Sequence, residues 1–115
     1  MKLAADVLTG LVALLHVYFM VLEMFLWSRP LGLATFRMSP EKAAMTKQLA
    51  MNQGLYNGFL AAGLAWGLVS GTLAVKGFFL ACVFVAGVFG AATVSRRIFW
   101  IQAAPAGVAL ILLHL

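Results

Sequence analysis

An imidazole and a carboxylate stand seven residues apart in the first apolar run of this chain: His16 and Glu23, with Thr9 seven residues before His16. Seven residues of helix turn through about 700°, close to two full turns, so the three share one stripe. An imidazole and a carboxylate on one stripe are the groups of an acid–base pair. The second apolar run supplies hydrogen-bonding partners, because Asn52, Gln53, Tyr56 and Asn57 span an arc of roughly 140° at helical spacing. The third run ends in Arg96 and Arg97, two cations suited to an anionic group. We therefore expect one polar site, with His16 and Glu23 facing Asn52, Gln53, Tyr56 and Asn57, and Arg96 or Arg97 near its mouth. In its catalytic form Glu23 and His16 would move protons, Tyr56 and Asn57 would donate hydrogen bonds, and the arginines would hold negative charge.

These residues are set in a chain that is 64% hydrophobic over 115 residues, with a mean hydropathy of +1.04. A soluble domain this small has too little interior to hide so much apolar surface, so a bilayer must serve as solvent. Four spans are expected, about 7–27, 49–69, 77–94 and 98–115. Each is near the ~20 residues that cross ~30 Å of hydrocarbon. The expected fold is all-α: a single-domain, integral membrane four-helix antiparallel bundle with a cytoplasmic loop at 28–47. The first run is long, carries His16 and Glu23 and has no small-x-small cleavage site, so it reads as a retained span rather than a signal peptide. Ser39-Pro40-Glu41 predicts the start of a long second helix, Pro40 to Val69, with Ser39 as its cap. Ser28 to Met38 then forms an interfacial loop. Pro105 predicts a kink in the fourth span.

The net charge of +5 does not point to nucleic acid, since the basic residues sit at the ends of apolar runs and form no patch. Lys2 and Lys76 fall on one side; Arg29, Arg37, Lys42, Lys47, Arg96 and Arg97 fall on the other. The positive-inside rule makes the second side cytoplasmic and sends both termini outward. The single cysteine, Cys82, reads as a small apolar filler, and no residues stand at metal-ligand spacing, so no metal is expected. Opposite the polar arc of the second run lies a ridge of small residues, Gly54, Gly58, Ala61 and Ala65. Ala86 with Gly90, and Gly87 with Ala91, repeat that spacing in the third. Small residues let helix backbones approach closely in lipid. Four helices of this size enclose little space, so a homo-oligomer, a dimer or trimer, is expected, with the site between protomers or open to lipid.

The run Asn52-Gln53-Gly54-Leu55-Tyr56-Asn57-Gly58-Phe59-Leu60-Ala61-Ala62-Gly63 resembles the hallmark of a family of small bacterial integral membrane proteins catalogued as a domain of unknown function. The resemblance, which the His16 and Glu23 spacing shares, extends over nearly the whole chain. It implies four spans in the bacterial inner membrane and no stated activity. In size, helix number and long first cytoplasmic loop the chain is also similar to the membrane-associated proteins in eicosanoid and glutathione metabolism. Those are trimers that bind glutathione between protomers, with an R-A-x-x-N-x-x-E-N pattern on the second helix. Here Leu49, Ala50, Gln53, Tyr56 and Asn57 occupy its positions, and only Ala50 and Asn57 match.

The function expected is therefore a membrane protein with a polar site near the cytoplasmic face that binds a lipophilic or anionic small ligand. Glutathione is the one cosubstrate the second resemblance implies, for a transferase or peroxidase. Other readings are a small transporter with Glu23 as its ion-binding carboxylate, and an accessory subunit whose polar residues are interhelical glue.

Overall fold

The computed structural model describes all 115 residues and contains helices but no strand. The helices are α1 (Lys2–Met24), α2 (Pro30–Phe36), α3 (Pro40–Ser70), α4 (Leu73–Thr93) and α5 (Ala104–Leu113), the last entered through a π-helical segment, Phe99–Ala103. The chain packs as two compact units, Met1–Leu14 with Leu60–Leu115, and Leu15–Phe59.

Local chemistry sets the helix boundaries. The Lys42 N–H donates to Ser39 Oγ at 3.1 Å, so Ser39 caps α3; Pro40 opens the helix and Glu41 lies in its first turn. Each suits a helix N-terminus, where backbone donors are unfilled and negative charge is favoured. The other end of α3 closes on Gly71, whose φ of +66° is left-handed, while the Thr72 N–H reaches back to the Gly67 carbonyl at 3.2 Å. That six-residue loop satisfies a carbonyl the helix leaves open and turns the chain into α4.

The stretch 28–38, expected to be loop, contains the short helix α2. Pro30 starts it, and Arg37 ends it in the left-handed region with φ 53°. The Met38 N–H returns to the Leu33 carbonyl at 3.0 Å, the same closing device without a glycine. Pro105, expected to kink a fourth span, is accommodated by the π-helical turn before it. There the Ala104 N–H bonds the Phe99 carbonyl five residues back. The wider turn makes room for a ring that would strike the carbonyl four residues back in a regular α-helix.

In the first unit Val12, Leu64, Leu80, Val83, Ala106 and Ala109 form the core. Glycines set how close its helices come. A Cβ on Gly87 would lie 2.6 Å from the Ala103 backbone nitrogen, and one on Gly63 would lie 2.4 Å from the Phe79 ring. In the second unit Leu22, Ala43 and Ala50 are buried. Trp27 locks the chain after α1 onto α3: its Nε1 donates to Thr46 Oγ1 at 3.1 Å, and its ring lies 4.8 Å from that of Phe36.

By length and composition, α1 and α4 are able to cross a membrane, and Phe99–Leu113 is apolar but shorter. The second expected span, 49–69, lies inside α3, which is not among the membrane-capable helices; Asn52, Gln53 and Asn57 lower its hydropathy. All-helical architecture is thus observed, with two membrane-capable helices in place of four.

Candidate functional site

On α1 the stripe at intervals of seven is an inward-facing one. Thr9 and His16 are fully buried and Glu23 is half-buried. Thr9 belongs to the first unit, where its hydroxyl donates to the Ala5 carbonyl at 2.7 Å, a bond internal to the helix. His16 and Glu23 belong to the second. The His16 ring stands edge-on to Phe19, with centroids 5.8 Å apart. No buried side-chain nitrogen or oxygen in the protein lacks a hydrogen-bond partner, the imidazole included. Seven residues of α-helix rise about 10 Å, so His16 and Glu23 occupy different levels and no proton passes directly between them.

Glu23 meets α3 at Asn57, whose Nδ2 donates to Glu23 Oε1 at 2.5 Å. The helices come together here because α3 has no side chains in the way. A Cβ on Gly54 would lie 2.5 Å from Met24 Cγ and 3.1 Å from Glu23 Cβ. One on Gly58 would lie 2.9 Å from Met20 Sδ. Asn57 is about 60° around the helix from Gly54, at the edge of this seam, and so reaches across it.

Within the second unit the other three α3 residues of the expected site do not join this contact. Asn52, Gln53 and Tyr56 are exposed, and the reason is angular. The small residues, not the amides, face α1, and Asn52 and Tyr56 lie about 160° from Gly54. A face that packs on one neighbour cannot include an arc that starts opposite to it. Arg96 and Arg97 are exposed in the turn after α4, in the other unit, where the Arg97 N–H donates to Ser95 Oγ at 3.3 Å. Of the small-residue ridge, Gly54 and Ala61 are buried and Gly58 half-buried, but Ala65 is exposed; on α4, Gly87 is buried and Ala86 exposed.

One polar pair was not anticipated. Lys76 is buried in α4, and its Nζ lies 2.9 Å from Asp6 Oδ1 on α1, both in the first unit. Sequence reasoning read Lys76 only as a topology charge. The pointer was arithmetic: with three acidic residues in the chain, an Asp at the start of one apolar run and a Lys at the start of another are obvious partners.

Residues 10–114 match the family described as Protein of unknown function (DUF1304). The chain belongs to that family. The DUF1304 match includes His16, Glu23, Asn57 and Lys76 and begins after Asp6. No curated protein and no solved structure matches the chain.

Proposed function

We propose that the protein is an integral membrane protein whose Glu23–Asn57 pair anchors a small-ligand site between α1 and α3. The membrane part of this reading is supported by the apolar lengths of α1 and α4 and by an apolar exterior. Phe25, Phe78, Phe89 and Trp100 are each more than half exposed, which suits lipid and not water. On this reading α3 and the Phe99–Leu113 helix also traverse the bilayer, the amides of α3 lying toward the cytoplasmic end. The protein is multi-pass with outward termini, and copies associate.

The site part is carried by one observation: a half-buried carboxylate on a membrane-capable helix, held at 2.5 Å by a neutral side chain of another helix. Ionisable groups in such segments are costly and mark sites of binding or transport. Asn57 fixes where the carboxylate points without neutralising it. A glutathione-dependent enzyme has less support, because the charged group at this site is an acid and glutathione is itself anionic.

Native mass spectrometry of the protein purified in mild detergent tests the reading. A small-molecule adduct present on the wild type and absent from Glu23→Gln, with the oligomer mass unchanged, supports it. If no adduct depends on Glu23 while Asn57→Leu disrupts assembly, the bond is interhelical glue and the protein is an accessory subunit.

A further inference from the structure

We propose that the ligand of the Glu23–Asn57 site is a lipophilic organic cation; this rests on the reading of that pair as a binding site. Charge is the first reason. The partner of Glu23 is the neutral Asn57, whereas the buried Lys76 is paired with Asp6. Glue alone would not require a carboxylate, since an amide accepts the same bond at no charge. A carboxylate left without a counter-charge away from water attracts a cation and repels an anion.

The surroundings decide which cation. A hard metal ion takes six or more oxygen ligands. The two side chains that meet here offer the carboxylate and one amide oxygen, and no group of His, Cys, Asp and Glu gathers to hold a metal. What lines the seam instead is soft and apolar. Met20 and Met24 pack over the bare backbone of Gly58 and Gly54, with Glu23 Cβ against Gly54. Thioether side chains are polarizable and adapt to irregular shapes, which suits bulky ammonium or phosphonium groups with hydrocarbon substituents. Such a ligand would reach the half-buried Glu23 from the lipid beside α1.

Two ions of the same shape and opposite charge test this on the full-length protein in detergent. Tetraphenylphosphonium is expected to bind saturably to the wild type, and tetraphenylborate neither to bind at this site nor to compete. Glu23→Gln, which keeps the acceptor for Asn57, is expected to weaken phosphonium binding by at least about tenfold, and Glu23→Asp to retain most of it. Saturable tetraphenylborate binding that Glu23→Gln or Asn57→Ala changes would overturn the cation class and leave the site standing. Equal phosphonium affinity in wild type and Glu23→Gln, or no saturable phosphonium binding at all, overturns the proposal. The site reading then stands or falls separately on the Glu23-dependent adduct seen in native mass spectra. Should Glu23→Gln fail to fold, the comparison of the two ions on the wild type still decides.

Discussion

Asn57 and Glu23 share one hydrogen bond, and the atom removed determines what is lost. Glu23→Gln preserves an acceptor for Asn57 Nδ2 and is expected to unfold within about 1 kcal/mol of the wild type. Glu23→Ala leaves that donor unmatched in a half-buried place and is expected to cost about 1–3 kcal/mol. Thermal unfolding followed by circular dichroism in detergent separates them; equal losses would mean that the bond contributes nothing. The Lys76–Asp6 pair behaves differently, because both members carry charge and Lys76 has only 4% of its side chain exposed. Asp6→Ala strands that ammonium, at a cost toward the lower end of the ~3–5 kcal/mol typical of broken buried pairs, since Asp6 is 30% exposed. Asp6→Ala combined with Lys76→Met removes the stranded charge and is expected to recover most of the loss. A double variant no more stable than Asp6→Ala would show that the pair is not the source of the penalty.

Among the helices, what separates a tolerated glycine from an essential one is the kind of atom its missing Cβ would meet. At Gly58 that atom is Met20 Sδ, the far end of a flexible side chain that can move. At Gly87 it is the backbone of Ala103, with the nitrogen at 2.6 Å and Cα at 2.9 Å, and the only relief is to shift the π-helical segment. Gly87→Ala is therefore expected to cost about 1–3 kcal/mol and Gly58→Ala distinctly less, measured by the same melting experiment. The reverse order would mean that the π-helical segment yields more readily than Met20 repacks. Much at this scale was legible beforehand. The Ser39-Pro40-Glu41 start and the seven-residue stripe on α1 each follow from chemistry local to a few residues. The partners of that stripe were not legible. An arc of polar residues and a ridge of small ones on α3 were both visible, but choosing which faces α1 requires knowing the packing. Close approach favoured Gly54 and Gly58, which left Asn57 as the amide that reaches Glu23 and turned Asn52, Gln53 and Tyr56 outward.

On the membrane reading proposed above, the basic residues at the two ends of α4 predict its orientation. Lys76, bonded to Asp6, is the one basic residue near the start of α4. Arg96 and Arg97 stand exposed beyond the other end. Across this one membrane-capable helix the basic residues are unequal, one lysine at its start against two arginines just beyond its end, and the positive-inside rule counts lysines and arginines near span ends. The end at Ser95 is expected to face the cytoplasm and the end at Thr72 to face outward. In a Cys82→Ala background, Thr72→Cys should react with a membrane-impermeant maleimide in intact cells. Ser95→Cys should react only after the membrane is opened. Removing the arginines tests the cause as well as the outcome: with Arg96→Ala and Arg97→Ala the bias at α4 is lost while Arg29, Arg37, Lys42 and Lys47 keep theirs, so Ser95→Cys is expected to gain a minor fraction of labelling in intact cells. Labelling of Ser95→Cys in intact cells would reverse the orientation, and an unchanged pattern without the arginines would place its cause outside α4.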